Sequence, residues 1–214
     1  MVKGKAGSPY AIKDYYDVDP DLATDVTRRM KELENLISRT HKAELGFIMD
    51  FVPNHVARQY HSDACPEGVE DLGANDDRTV AFSTQNNFYY LPGRPLHLDY
   101  IVGRHSNYSE VPAKVTGNDC FTAWPGGIDW YETVKLNYGI DYQNGYRRCF
   151  TPHPDTWGKM LGILLFWAAK GVDAFRCDMA EMVPVEFWHW AIREVKKQYP
   201  DIMFIAEVYN PALY

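Results

Sequence analysis

GVDAFRCD, residues 171–178, decides the fold. Val172, Ala174 and Phe175 make a short apolar run of strand length. The run ends in two charges, Arg176 and Asp178, and charges are costly to bury unless they are paired or used. The arrangement recurs on both sides. FIMDFVPNH (47–55) carries Asp50, Asn54 and His55, and FIAEV (204–208) carries Glu207. Helical patterns separate the runs. DTWGKMLGILLFWAAK (155–170) has a broad apolar face, Asp155 as expected cap and Gly171 at its end. VPVEFWHWAIREVKKQY (183–199) has Pro184 in its first turn and Pro200 as its stop. Buried apolar strands alternating with helices read as parallel α/β. In such folds the site lies at the C-terminal strand ends, whether in a barrel or in a doubly wound sheet. Asp50, Asn54, His55, Arg176, Asp178 and Glu207 are therefore expected on one face.

Further from this stretch the signals weaken. Residues 1–20 read as loop. Leu22, Val26, Met30, Leu33 and Ile37 recur at helical spacing, which predicts a helix from about 22 with Asp21 or Thr24 as cap. Gly158 and Gly162 lie four apart, a spacing that permits close approach of a neighbour. Residues 56–154 are rich in Gly, Pro, Asn, Asp and Tyr, with short strand-like pieces such as NNFYYL. A structureless loop of that length is improbable in a compact domain. The expectation is an irregular inserted subdomain with small antiparallel strands. Trp124, Trp130, Tyr89 and Tyr90 are its candidate sugar-stacking rings. The organisation expected is thus 1–55, 56–154 and 155–214.

Composition narrows the function. The 214 residues carry a formal net charge of −7, which argues against a nucleic-acid partner. No apolar run reaches membrane-spanning length. The first ten residues lack the apolar core of a secretory signal, and localisation stays open. Four cysteines without a CxxC pair speak against a zinc knuckle or a thioredoxin-like site. Asn107 of NYS (107–109) fits a glycosylation sequon. No GxGxxG follows a strand, so a dinucleotide fold is disfavoured.

From the residues alone two chemistries stand equal. Asp178 and Glu207 suit acid–base or nucleophilic work, with Arg176 on the same strand face as Asp178. Burial in IAEV is expected to raise the Glu207 pKa, and Arg176 to lower that of Asp178. Asp50, His55, Asp178 and Glu207 could instead hold a metal, as in a metal-dependent barrel hydrolase. Schiff-base chemistry is weaker, because Lys170 precedes its strand.

DFVPNH (50–55), GVDAFRCD (171–178) and IAEV (205–208) resemble, in order, the first three conserved regions of the alpha-amylase family of glycoside hydrolases. SPYAIKDYYDVDPDLAT (8–24) and KLN (135–137) are similar to flanking stretches of that family. The resemblance implies a segment of a (β/α)8 TIM barrel, holding strands three to five, with a subdomain inserted after strand 3. It implies a retaining alpha-glycosidase or transglycosylase acting on alpha-glucans or alpha-glucosides. Asp178 would be the nucleophile and Glu207 the acid and base. Arg176 would orient Asp178, and Asp50 would support Arg176. His55 and Tyr10 would hold the sugar before the scissile bond. The chemistry would need no cofactor. A structural calcium would draw on Asn54, with Asp71, Asp76 and Asp77 as further oxygen sources. Glu181 and Met182 stand where many relatives carry Lys-His, so the acceptor side is expected to differ. The family's fourth region, with a third carboxylate, would follow Tyr214. The missing barrel half is expected from the rest of a parent chain or from another chain. A non-catalytic carbohydrate-binding or scaffold relative is the rival reading.

Overall fold

The computed structural model describes residues 1–4, 8–98 and 108–213. The sequon residue Asn107 lies outside them. Residues 1–20 are not all loop, because β1 (Val2–Lys3) pairs antiparallel with β2 (Ile12–Asp14). The three charged-end runs form one parallel sheet: β3 (Ile48–Phe51), β10 (Ala174–Cys177) and β11 (Met203–Ala206), in the order β11-β10-β3. Arg176 lies opposite Asp50 on one side and Ile205 on the other. The strands are shorter than the apolar runs. Residues 45–47 stay outside β3, although the Phe47 carbonyl accepts the Asp173 N–H just ahead of β10.

Alternation divides the sheet into two unlike faces. Phe51 and Phe175 point to the helix side and are fully buried. They pack edge-on at 6.1 Å, and Phe51 meets Trp188 of α3 (Val185–Gln198) at 6.4 Å. Trp157 of α2 (Asp155–Ala168) meets Phe187 of α3 at 5.6 Å, joining the helices into one layer. Burying each such ring stabilises the fold by about 1.5–3 kcal/mol. The other face is bare: Ile48 is 53% exposed, Met203 56% and Ile205 44%.

Three local expectations need correction. The first helix begins at Arg29, not near 22, and runs to Lys42 (α1). The Glu32 carboxylate accepts the N–H groups of Thr24 and Asp25, and Asp25 caps a separate 3-10 turn at Val26–Arg28. Leu22 is left 76% exposed. Asp155 does not cap α2. It is the first helical residue, and its carboxylate takes Asn87 Nδ2 at 2.8 Å and Lys159 Nζ at 2.9 Å. Gly158 and Gly162 do not serve a tight helix contact, since a Cβ at Gly162 would meet only the Tyr16 hydroxyl, at 3.8 Å. Both face outward, and a Cβ at Gly158 would meet nothing within 4 Å.

Between β3 and α2 the described residues form three small antiparallel pairs. These are β4 (His55–Ala57) with β7 (Thr133–Lys135), β5 (Tyr90–Leu91) with β6 (Ala113–Lys114), and β8 (Ile140–Asp141) with β9 (Arg147–Arg148). Tyr89, Leu91, Ala113, Val115 and Ala123 make a core of their own. Phe88, Val134 and Leu136 join the main core instead. Asp76 organises this segment by accepting the N–H groups of Asn87 and Phe88 and the Tyr90 hydroxyl.

Candidate active site

The strand order carries the carboxylates to one place. Arg176, at the end of the central strand, binds three of them. Its Nη1 donates to Asp50 Oδ1 at 2.7 Å and to Asp178 Oδ1 at 3.1 Å, and Nη2 lies 2.5 Å from Glu207 Oε1. These contacts raise the guanidinium pKa, the Asp50 hydrogen bond most of all. Asp178 and Glu207 thus converge on one guanidinium, and each perturbs the titration of the other.

Backbone fixes the pair. Asp178 N–H donates to the Phe51 carbonyl at 2.9 Å, and Glu207 N–H to the Cys177 carbonyl at 3.0 Å. Met179 then takes a left-handed turn, with φ of 48°, a conformation costing a side-chain-bearing residue about 1–2 kcal/mol. That turn aims the Met179 N–H at Glu207 Oε2, 3.0 Å away. The neighbouring Ala180 N–H meets the Glu207 carbonyl at 3.1 Å.

The two acids are unequal, and in the opposite sense to that expected from sequence. Burial, followed by the neighbouring Glu207 carboxylate, pushes Asp178 up to about 6. Burial pulls Glu207 upward too, but more weakly. The Met179 N–H, Asp178, the Tyr209 hydroxyl and Arg176 together outweigh it and hold Glu207 below the usual range. Glu207 stands nearer solvent than Asp178, so its desolvation is the smaller one.

His55 is buried on the far wall. Burial first, then the Lys135 charge, lowers its pKa to about 4, so it is neutral near pH 7. Asn54 Nδ2 approaches His55 Nδ1 at 3.2 Å. An amide nitrogen only donates, so Nδ1 is the acceptor and the ring proton sits on Nε2. Gly117 has to be glycine here, because an added Cβ would fall 2.8 Å from the Cβ of His55. Trp130 packs on His55 with centroids 5.1 Å apart, and the Tyr10 ring lies 5.8 Å from the Arg176 guanidinium carbon. The cavity these residues line, with Tyr209 and the Gly127–Thr133 segment, has a volume of about 470 Å³.

A metal reading does not fit. Among the described residues no group of three or more His, Cys, Asp or Glu is arranged to hold an ion. The Arg176 guanidinium already occupies the space between Asp50, Asp178 and Glu207. The calcium ligands expected from sequence are engaged as well. Asn54 Oδ1 accepts from the buried Lys135 Nζ at 2.9 Å, and the same ammonium meets Asp119 Oδ1 at 2.6 Å. Asp71 caps the N–H groups of Ser62 and Leu72, Asp76 those of Asn87 and Phe88, and Asp77 that of Thr79. The residues present do not fit a calcium at Asn54.

All seven residues singled out from sequence lie at this end of the sheet, and Tyr10, His55, Arg176, Asp178 and Glu207 line the cavity itself. Asn54 stands behind His55, and Asp50 behind Arg176. Sequence reasoning missed Tyr209, whose hydroxyl donates to Glu207 Oε1 at 3.0 Å, and Lys135. The signal for Tyr209 was its place two residues beyond Glu207. Lys135 stood in the KLN motif without an assigned role. Of the four candidate rings, Tyr89 and Tyr90 are buried, Trp130 lines the cavity and Trp124 is exposed.

The chain is 32% identical over 218 residues to an alpha-1,4-glucan:maltose-1-phosphate maltosyltransferase of Cereibacter sphaeroides, covering 94% of the chain and 33% of that protein. It is 38% identical over 212 residues to the protein of the same name in Picrophilus torridus, covering 97% of the chain and 24% of that protein. The chain thus spans about a third or less of the length of these relatives. An alpha-amylase from Lactobacillus plantarum has the same fold, with a TM-score of 0.58 at 24% identity, over 99% of the chain and 35% of that protein. Residues 4–213 match the family model of the alpha-amylase catalytic domain, and the chain belongs to that family.

Proposed function

We propose that the chain supplies the nucleophile and the acid–base residue of a retaining alpha-glycosidase or transglycosylase acting on alpha-glucans. The observation that carries this reading is that Asp178 and Glu207, on adjacent strand ends, are both bound by Arg176, at 3.1 Å and 2.5 Å. Inverting enzymes hold their two carboxyls ~6.5–9.5 Å apart to admit a water, and retaining enzymes ~5–5.5 Å apart. One guanidinium clamping both carboxyls favours the closer, retaining separation. The names of the relatives, maltosyltransferase and amylase, support an alpha-glucan substrate.

In this reading Asp178 attacks the anomeric carbon and forms a glycosyl ester, while Glu207 protonates the departing oxygen. Glu207 then deprotonates the incoming water or sugar hydroxyl, which breaks the ester. As pH falls to about 6 and below, the free site takes its proton on Asp178. A sugar whose leaving oxygen draws Glu207 off Arg176 leaves the guanidinium on Asp178, which favours the ionised form of Asp178. The proton then belongs on Glu207. Neutral His55 and the ring face of Tyr10 line the place of the sugar.

The same proposal covers the architecture. Residues 1–55 and 155–214 would be barrel segments, with 56–154 a subdomain inserted after strand 3 of a (β/α)8 barrel. Further barrel strands would cover the bare sheet face. No calcium is assigned, because Lys135 fills that role at Asn54.

The test uses the whole protein. Glu207→Gln should lower turnover of substrates with poor leaving groups ~10²–10⁴-fold and accumulate a glycosyl ester on Asp178 from an activated glycosyl fluoride, seen by peptide mass. Asp178→Asn should form no ester. A product of inverted anomeric configuration, followed by NMR, would overturn the assignment.

A further inference from the structure

The loop that walls the cavity carries a second indole outside it. Trp124 lies three residues before the lining segment Gly127–Thr133 and is 56% exposed. An exposed tryptophan is ordinarily mobile, but this one is held. Its chain neighbours Ala123 and Pro125 are both buried. The Trp124 N–H meets Thr122 Oγ1 at 3.2 Å, and the Ala123 carbonyl accepts the His97 N–H at 2.8 Å. The His97 imidazole lies flat on the indole, with centroids 4.2 Å apart and planes 3° from parallel. One face of the ring is therefore covered and fixed, and the exposure belongs to the other face and the edge. Downstream, Asp129 ties the loop by accepting from Gly126 N at 2.5 Å and Asn118 Nδ2 at 3.3 Å. A rigid, flat, one-sided aromatic surface matches the apolar C–H face of a pyranose ring, and stacking of that kind needs no ordering of a flexible side chain.

We infer that Trp124, backed by His97, is a stacking platform for a glucose unit of an oligosaccharide whose other end occupies the cavity. This rests on the alpha-glucan reading of the site. It extends that reading from one or two sugars to a chain, and it assigns chain-length preference to the loop between Asn118 and Trp130. Ile128, 94% exposed at the cavity rim, stands between the two indoles in sequence.

The experiment measures binding of maltose and of maltoheptaose by calorimetry, using the Asp178→Asn protein so that nothing turns over. Trp124→Ala should weaken maltoheptaose about tenfold and leave maltose within twofold. Trp124→Phe, which keeps a ring, should recover part of the loss, and His97→Ala should reproduce part of it. In the parent protein, maltoheptaose but not maltose should shift the indole NMR signal assigned to Trp124. Equal maltoheptaose affinity in parent and Trp124→Ala, or equal losses for both sugars, would overturn the platform while leaving the cavity reading intact. Failure of the parent to bind either sugar would overturn both, and the two failures are told apart by that control.

Discussion

Asp178 and His55 titrate in opposite directions, and each leaves a mark on stability. Asp178 ionises at about 6 in the folded chain, against an ordinary 3.8. Folding therefore favours its protonated form, and that contribution is lost as pH rises from about 3.8 through 6. His55 protonates at about 4, against an ordinary 6.5. Its contribution is present above 6.5 and lost as pH falls toward 4. Each is worth on the order of 3 kcal/mol. Relative to the parent, Asp178→Asn should gain stability at pH 7 and lose the gain by pH 4. The His55→Gln penalty should be largest at pH 7 and shrink toward pH 4. Urea unfolding at pH 7, 5 and 4 checks both, and parallel curves would refute them. Residue identities at the site were legible in the sequence, because a charge at the end of an apolar strand has few structural excuses. Their proton order was not. It depends on which carboxyl stands nearer solvent and on a left-handed Met179 turning its N–H toward Glu207, and neither leaves a trace in residue type.

Element by element, legibility followed burial. The sheet strands and α2 and α3 were readable because their apolar faces point at one core. The start of α1 was not, because Glu32 spends its carboxylate on the N–H groups of Thr24 and Asp25 and interrupts a pattern that reads as continuous helix. The small sheets of 56–154 were readable in kind but not in pairing, which joins residues as distant as His55 and Lys135. Gly158 offers a direct measure of helix propensity. It sits in α2 facing outward, with open space where a Cβ would go. Gly158→Ala should stabilise the chain by about 1 kcal/mol, raising the melting temperature by a few degrees without changing ligand binding. An unchanged or lowered melting temperature would show that this face of the helix is covered.

At the scale of the molecule, the sheet is finished on one side only. Parallel sheets are normally covered on both faces. Here Ile48, Met203 and Ile205 stand exposed around Arg176, and among the described residues β3 and β11 each pair along one edge. The 214-residue chain on its own should bind a hydrophobic dye and associate as concentration rises. It should also show little turnover, since water reaches the carboxylates from the open side and weakens every charge interaction there. Sedimentation as a dye-negative monomer would refute the exposure. Lys135 has a different kind of consequence. Its ammonium joins Asn54, beside His55, to Asp119 of the loop segment, so the counter-ion of this junction is made on the ribosome with the chain. A junction held by a dissolved ion assembles only where that ion is supplied and comes apart under sequestration. One held by a covalently attached cation has no dissociation constant, and its occupancy is identical in every compartment the protein enters.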